Sequence, residues 1–129
     1  MTRSNTLSRR IATWLATLAV ATAAGSASAA DFPSRPITFV VPYAAGATTD
    51  LLARTLGHQM AQDLGQPVVI ENKAGANGII GTAEVARSKP DGYTMLLSTD
   101  SSMVLNKLLY TKLPYDPDRL TPVALLSDL

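Results

Sequence analysis

Three short segments of this chain are built from residues that can hold an anion without covalent chemistry. They lie at residues 42–50, 72–78 and 98–102 and consist mostly of Gly, Ala, Ser, Thr and Asn. Small residues let a ligand approach backbone N–H groups, and hydroxyls add further donors. The first N–H groups of a helix carry a partial positive charge, so a carboxylate or phosphate can bind there without Lys or Arg. These segments therefore indicate noncovalent binding of a small anion.

The first segment has a plain structural alternative. Thr48, Thr49 or Asp50 would be a suitable cap for a helix that begins at this point. Gly46, in contrast, is the residue type expected where a ligand comes close to the backbone. Both interpretations are compatible with the residue types alone.

Residues suited to catalysis are scarce. His58 is the only histidine, and its place within a predicted helix indicates a solvated side chain. Ser98, Ser101 and Ser102 lack the Gly-x-Ser-x-Gly setting of a hydrolase nucleophile. The chain has no cysteine, which excludes disulfides, thiol catalysis and cysteine-rich zinc sites. We therefore expect a protein that is not an enzyme and that has no metal site and no cofactor.

The segment 76–81 approaches the glycine spacing of a dinucleotide-binding loop. Ala76 stands at the first glycine position, and no acidic residue lies at the end of the next predicted strand. We interpret Gly78 and Gly81 instead as positions of tight helix packing.

The first 30 residues have the organisation of a secretory signal peptide. Three arginines precede an uncharged, Ala- and Leu-rich run over residues 11–24, and small residues follow it. The strongly apolar part is too short to span a bilayer. We expect cleavage after Ala29 or Ala30, with export by the general secretory or the twin-arginine route.

Residues 31–129 then form the mature chain, with eight Lys and Arg against ten Asp and Glu, a net charge of −2. This balance gives no electrostatic support for a nucleic-acid or anionic-membrane partner. Because there is no cysteine to carry a lipid, we expect no stable membrane insertion after signal cleavage. The length suits one small domain.

Strands and helices are predicted to alternate along the mature chain. Apolar runs with little polar alternation indicate strands that are covered on both faces. The predicted strands are 37–41, 68–70, 93–97 and 122–126, and the predicted helices are 51–64, 79–87 and 103–110. This order predicts an α/β fold with a mostly parallel, doubly wound sheet. Strand-to-helix loops of such sheets gather at the carboxyl ends of the strands, so the three small-residue segments should converge there.

The residue spacing also predicts which helix faces are buried. The apolar stripe of the first helix consists of Leu52, Leu56, Met60 and Leu64, and Gly65 should end this helix. In the second helix the periodic positions are Ile80, Ala83 and Ala86 or Arg87. The chain ends directly after the fourth predicted strand, which leads us to expect an interrupted domain.

Five motifs stand in the order and at the spacing of one known family. They are residues 41–50, 64–72, 75–78, 90–94 and 112–117. The chain resembles Bug-type receptors, the periplasmic solute-binding components of tripartite tricarboxylate transporters. The resemblance covers essentially all of residues 31–129. It implies the amino-terminal part of a longer, two-domain clamshell protein.

The resemblance implies a function and a set of binding residues. A small organic carboxylate, such as a di- or tricarboxylate, would be captured in the periplasm and delivered to a membrane permease. Asp50 would orient and cap the first helix. The implied ligand-binding residues are Tyr43, Ala45, Gly46, Ala47, Thr48, Thr49, Asp50, Ala76, Asn77, Gly78, Ser98, Thr99 and Asn106.

Several positions depart from the family pattern. Prolines are usual where Ala44, Ala45, Ala74 and Lys107 stand, glycines at Ala47 and Asn77, and asparagine at Ile79. These departures leave the ligand open. Two alternatives also stay open: a truncated remnant that binds nothing, and an exported enzyme whose catalytic half is missing.

Overall fold

The central strand of the sheet is the first one in the chain. In the computed structural model, which describes residues 31–127, β1 (Ile37–Val41) pairs in parallel with β2 (Val68–Asn72) and with β3 (Thr94–Leu96). The order is β2-β1-β3, with Ile37 opposite Val68 and Thr38 opposite Thr94. The predicted α/β class with a parallel sheet is confirmed.

Helix α1 (Thr48–Leu64) covers one face of the sheet and ends at Gly65, which is left-handed with φ of 66°. The predicted stripe is partly wrong, because Leu52 and Leu64 are 39% and 37% exposed. Ala53 and Gly57 are buried instead, with Leu56 and Met60 packed beside them. Small residues let the helix come close: a Cβ on Gly57 would lie 3.1 Å from side-chain atoms of Val68 and Ile70.

Helix α2 (Ile79–Arg87) has the predicted bounds and packs against β1 and β3. Its predicted face is partly wrong, because Ile80 is 53% exposed whereas Thr82 and Val85 are buried. A Cβ on Gly81 would lie 3.0 Å from the Lys73 carbonyl oxygen and from Pro42 Cβ. This confirms the interpretation of Gly81 as a position of tight packing.

The core lies between β1 and the helices. Ile37, Phe39 and Val41 form a buried cluster with Ala53 of α1 and Leu97. Val40 is also fully buried, on the opposite face of the strand. Because both faces of β1 are covered, its sequence is a continuous apolar run.

The chain after β3 differs from the predicted single helix at 103–110. A π-helical segment, Ser101–Leu105, leads into a short α-helix, α3 (Asn106–Leu109). Two 3₁₀ segments, Ala76–Gly78 and Pro117–Arg119, complete the helical structure of the described residues.

The predicted fourth strand is wrong. Residues 122–126 are exposed and belong to no strand, with Val123 and Leu125 78% and 82% exposed. Pro122 cannot donate to a ladder, and β3 offers only three residues for pairing. An apolar segment forms a strand only where another strand pairs with it.

The predicted signal peptide, with its cleavage site at Ala29 or Ala30, lies outside the described residues. Between residues 31 and 127, no helix combines the length and apolar character needed to cross a membrane.

Candidate functional site

The three predicted loops meet at one edge of the sheet, as expected. Because the strands are parallel, the loops that follow them all leave from the carboxyl ends. The Tyr43 hydroxyl lies 2.6 Å from Thr99 Oγ1 and 3.5 Å from Ser98 Oγ, which joins the first loop to the third. Asn72 Nδ2 donates to the Tyr43 carbonyl oxygen at 3.2 Å and joins the end of β2 to the first loop.

Asp50 organises the first loop from inside the protein. Its Oδ2 accepts hydrogen bonds from Arg54 Nε at 3.0 Å and from the Gly46 N–H at 2.8 Å, and its Oδ1 accepts from Asn72 Nδ2 at 2.9 Å. The side chain is 2% exposed. Hydrogen bonds from Arg54, Gly46 and Asn72, in that order of effect, lower the pKa of Asp50 to about 2. Asp50 is therefore a buried carboxylate whose bonds fix the shape of the loop.

The cap of α1 differs from the residues suggested by the sequence. Ala47 occupies the N-cap position, and no side chain among the described residues caps this helix there. The Gly46 N–H is bound to Asp50, and the Ala47 N–H donates to the Ala44 carbonyl oxygen at 3.2 Å. The N–H groups of the first helical turn, from Thr48 onward, are those that an α-helix cannot pair internally.

Gly46 has the left-handed conformation, with φ of 84°, and nothing lies within 4 Å of a Cβ built on it. The backbone conformation, rather than crowding, therefore calls for glycine. Ala45 and Thr48 are exposed, and Thr49 is half-buried. This stretch of backbone is open to a small molecule.

The second loop is held in an unusual conformation. Four consecutive residues have positive φ: Gly75 (133°), Ala76 (46°), Asn77 (51°) and Gly78 (82°). A Cβ on Gly78 would lie 2.8 Å from Ser102 Oγ, so the second loop touches the segment after β3. The loop leads directly into α2, whose first-turn N–H groups lie at the same edge of the sheet as those of α1.

Asn106 belongs to this cluster but lies behind the second loop. Its Oδ1 accepts from Asn77 Nδ2 at 2.9 Å, and its Nδ2 donates to the Asn77 carbonyl oxygen at 3.1 Å. The side chain is fully buried. It is therefore connected to the open edge of the sheet through Asn77.

Four residues outside the implied ligand-binding set support the cluster. The Tyr115 hydroxyl donates to the Ser102 carbonyl oxygen at 2.8 Å and accepts from Asn106 Nδ2 at 3.3 Å. Ser98 Oγ donates to Ser102 Oγ at 2.8 Å. The sequence carries a signal for the role of Asn72, since it is the polar residue that ends a buried strand. No comparable signal in the sequence indicates a role for Tyr115. The four residues are Arg54, Asn72, Ser102 and Tyr115. Asn72 and Ser102 belong to the predicted segments 72–78 and 98–102, whereas sequence reasoning missed Arg54 and Tyr115.

The hydroxyl groups around Tyr43 form an environment that favours negative charge. Partial burial raises the pKa of the Tyr43 hydroxyl, but hydrogen bonding with the hydroxyls of Ser98, Thr99 and Ser102 outweighs burial and holds that pKa below its usual value. The hydrogen bonding therefore lowers the cost of negative charge on the Tyr43 oxygen. Among residues 31–127, no group of three or more His, Asp or Glu side chains is arranged to hold a metal ion.

A shallow depression lies elsewhere, on the outward face of α1. Leu52, Leu56, His58 and Gln59 are among its lining residues, and it is open to solvent. Arg54, the partner of Asp50, also lines it, but no residue of the three loops does.

Comparison with known proteins shows what the chain is related to. The family described as "Tripartite tricarboxylate transporter family receptor" matches residues 52–129. The chain belongs to this receptor family.

Two receptor-family relatives come from Bordetella pertussis. A UPF0065 protein is 46% identical over 110 residues, which are 85% of this chain and 34% of the relative. The protein BugT is 42% identical over 114 residues, 87% of this chain and 35% of BugT. The chain spans about a third of the length of the curated receptor-family relatives that it matches.

Solved structures agree with the assignment to the receptor family. MatC from Rhodopseudomonas palustris with bound malate is 45% identical, with a TM-score of 0.70 over 74% of this chain and 33% of MatC. A second R. palustris protein, solved with adipate, is 40% identical, with a TM-score of 0.66 over 68% of this chain and 29% of that protein. The resemblance inferred from the five motifs is thus confirmed.

Proposed function

We propose that this chain is the amino-terminal part of a periplasmic solute receptor that binds a small organic carboxylate for delivery to a membrane permease. One observation carries the proposal: the amino-terminal ends of α1 and α2 and the hydroxyls of Tyr43, Ser98 and Thr99 lie at the same edge of the sheet. The relatives solved with malate and adipate support a di- or tricarboxylate as the ligand class.

The first-turn N–H groups of α1 and the Thr48 and Thr49 hydroxyls hold one carboxylate group in this proposal. Helix N-termini favour negative charge, and Gly46 leaves space above the loop. The buried charge of Asp50 does not repel the ligand strongly, because Arg54 pairs with it at 3.0 Å. The loop at 76–78 and the hydroxyls of the third loop supply the remaining donors.

Noncovalent capture requires no catalytic group, and the proposal assigns no chemical step to this chain. Residues 1–30 are proposed to direct export and to be removed near Ala29 or Ala30, which leaves residues 31–129 in the periplasm. The permease is the proposed membrane partner. A non-binding remnant and an exported enzyme are the alternatives that the following experiment separates.

The test is calorimetric titration of the secreted chain with malate, adipate and citrate, with glucose as the neutral control. We expect saturable binding of at least one acid and none of glucose. Saturation by glucose but by none of the acids would refute a carboxylate receptor, and absence of all binding would favour the remnant. Conversion of the added acid, followed by NMR, would favour the enzyme.

Gly46→Val tests the first loop directly. Valine at a φ of 84° is strained, and its side chain fills the space above the loop, so affinity should fall about tenfold or more. The matched control is Gly65→Val: Gly65 also has positive φ and no atom within 4 Å of a built Cβ, but it lies at the other end of α1. Equal losses of affinity in both variants would contradict the proposed loop.

A further inference from the structure

We propose that Asn106, supported by Tyr115, is a positioning residue that locks the second loop in its left-handed conformation and thereby sets the start of α2. The inference concerns a residue that does not itself touch the ligand. Its consequence for affinity rests on the proposed function, whereas its consequence for the shape of the loop does not.

The loop needs such a lock because two of its residues are not glycine. Ala76 and Asn77 have φ of 46° and 51°. This region is costly for residues that carry a Cβ, and consecutive residues seldom occupy it unless their surroundings hold them there. Neighbouring contacts must therefore outweigh the preference of these two residues for negative φ.

Asn106 supplies such contacts to Asn77, through both ends of its amide. One Nδ2 donor and the Oδ1 acceptor engage Asn77 at its carbonyl oxygen and its side-chain Nδ2, which fixes both the backbone and the side chain of that residue. The remaining Nδ2 donor reaches the Tyr115 hydroxyl. With its two donors and its oxygen engaged and its side chain fully buried, Asn106 acts on the site through Asn77.

Tyr115 connects the lock to the third loop. Its hydroxyl also donates to the Ser102 carbonyl oxygen, and Ser102 Oγ accepts from Ser98, one of the proposed ligand donors. Ser102 Oγ lies 2.8 Å from the position that a Cβ on Gly78 would take, so the same residue fits against the end of the second loop. The lock therefore holds the second and third loops in one fixed relation.

The experiment compares the ¹⁵N-labelled full chain with Asn106→Ala. Positive φ brings the Hα and H–N protons of one residue close together, so the parent should show strong intraresidue Hα–HN NOEs at Ala76 and Asn77. Asn106→Ala should weaken both NOEs and lower malate affinity about tenfold, as expected when the left-handed state is no longer the dominant one. The matched control, Val85→Ala, removes buried volume from α2 and should keep both NOEs and the parent affinity.

The outcomes are distinct from those that test the proposed function. Strong NOEs at Asn77 in Asn106→Ala would overturn the lock, and lost NOEs with unchanged malate affinity would overturn its role in the ligand site. If the parent itself does not bind malate, the proposed function fails for this acid, and the NOEs still decide the lock. If Asn106→Ala does not fold, Tyr115→Phe is measured in the same way.

A rescue variant separates positioning from a direct contact. Glycine adopts positive φ without strain, so Asn77→Gly in the Asn106→Ala background should restore the NOEs at Ala76 and most of the malate affinity. The single variant Asn77→Gly is the reference, because it removes the Asn77 side chain while Asn106 stays. Failure of the double variant to reach the affinity of Asn77→Gly while the Ala76 NOEs return would assign the loss to the Asn106 amide itself and overturn the positioning role.

Discussion

Asp50 shows how a buried acid can stand beside a site proposed for anions. Its charge is matched by Arg54, and its two oxygens accept from three donors. An ionised carboxylate with this many donors is stable inside a protein, whereas an unpaired one is not. The residue therefore serves the shape of the loop and leaves the first-turn N–H groups of α1 to face outward.

The lowered pKa of Asp50 makes the stability of the folded chain dependent on pH in the acid range. That pKa is about 2 in the folded protein, below the ordinary value of 3.8. A lowered folded pKa gives stability that is present above the ordinary value and is lost as the pH falls toward 2. We expect urea midpoints of the parent to fall more steeply between pH 4 and pH 2 than those of Asp50→Asn. The control, Asp63→Asn, changes an exposed acid of the same helix; if it flattens the curve as much as Asp50→Asn does, the assignment is refuted.

The Tyr115 hydroxyl should contribute to stability as well as to position. Tyr115→Phe leaves the buried Ser102 carbonyl oxygen and Asn106 Nδ2 each without one partner, which should cost about 1–3 kcal/mol in urea unfolding. Tyr110→Phe, at a tyrosine that is 41% exposed, should stay within about 0.5 kcal/mol of the parent. A Tyr115→Phe variant as stable as the parent would show that these two groups find other partners.

At the scale of elements, two glycines set how closely the helices approach the sheet. Gly57 brings α1 against side-chain atoms of Val68 and Ile70, whereas Gly81 brings α2 against the backbone of Lys73 and Pro42. Side chains can shift to admit a methyl group, but a backbone carbonyl directly after a strand cannot do so without disturbing its neighbours. The two positions therefore differ although both lie within helices.

Alanine substitutions should separate these two glycines. Alanine gains up to about 1 kcal/mol of helix propensity at either position. Gly57→Ala should therefore be nearly neutral, whereas Gly81→Ala should lose about 1–2 kcal/mol overall because overpacking exceeds that gain. Urea unfolding of both variants measures the difference. Equal stabilities would mean that the backbone at Lys73 and Pro42 adjusts as readily as a side chain.

The sequence predicts most of the elements but only part of the faces that they bury. The spacing of Leu52 and Leu64 indicates a buried stripe, yet Ala53 and Gly57 lie closest to the sheet, because closeness of approach depends on which residues are small. The run 122–126 has strand composition, but no partner pairs with it among the described residues. Both errors arise from tertiary packing, which local periodicity does not encode.

The position of the candidate site was predictable from the sequence, but its hydrogen-bond network was not. Parallel topology alone brings the three loops together, so Tyr43, Gly46 and Ser98 follow from the strand order. The bonds of Asn106 to Asn77 join positions 29 residues apart, and those of Tyr115 to Ser102 join positions 13 apart. Nothing in the local sequence indicates which of these polar groups is buried.

Over the whole molecule, a ligand at this site should stabilise one edge more than the other. The first turns of α1 and α2 lie at the carboxyl ends of the strands, and Gly65 lies at the opposite end of α1. Hydrogen exchange with and without saturating malate should show added protection around residues 48–51 and 79–82 beyond the general gain from native-state binding. Uniform protection that includes residues 62–66 to the same extent would argue against a localised site.

The central position of β1 has a consequence for how the chain acquires its structure. Each later strand docks on a free edge of β1, so no strand has to be inserted between two that are already paired. Among the described residues, β2 and β3 can therefore pair with β1 in chain order, one on each side. A chain that emerges from a channel with its amino terminus first can begin to assemble before its last strand is outside.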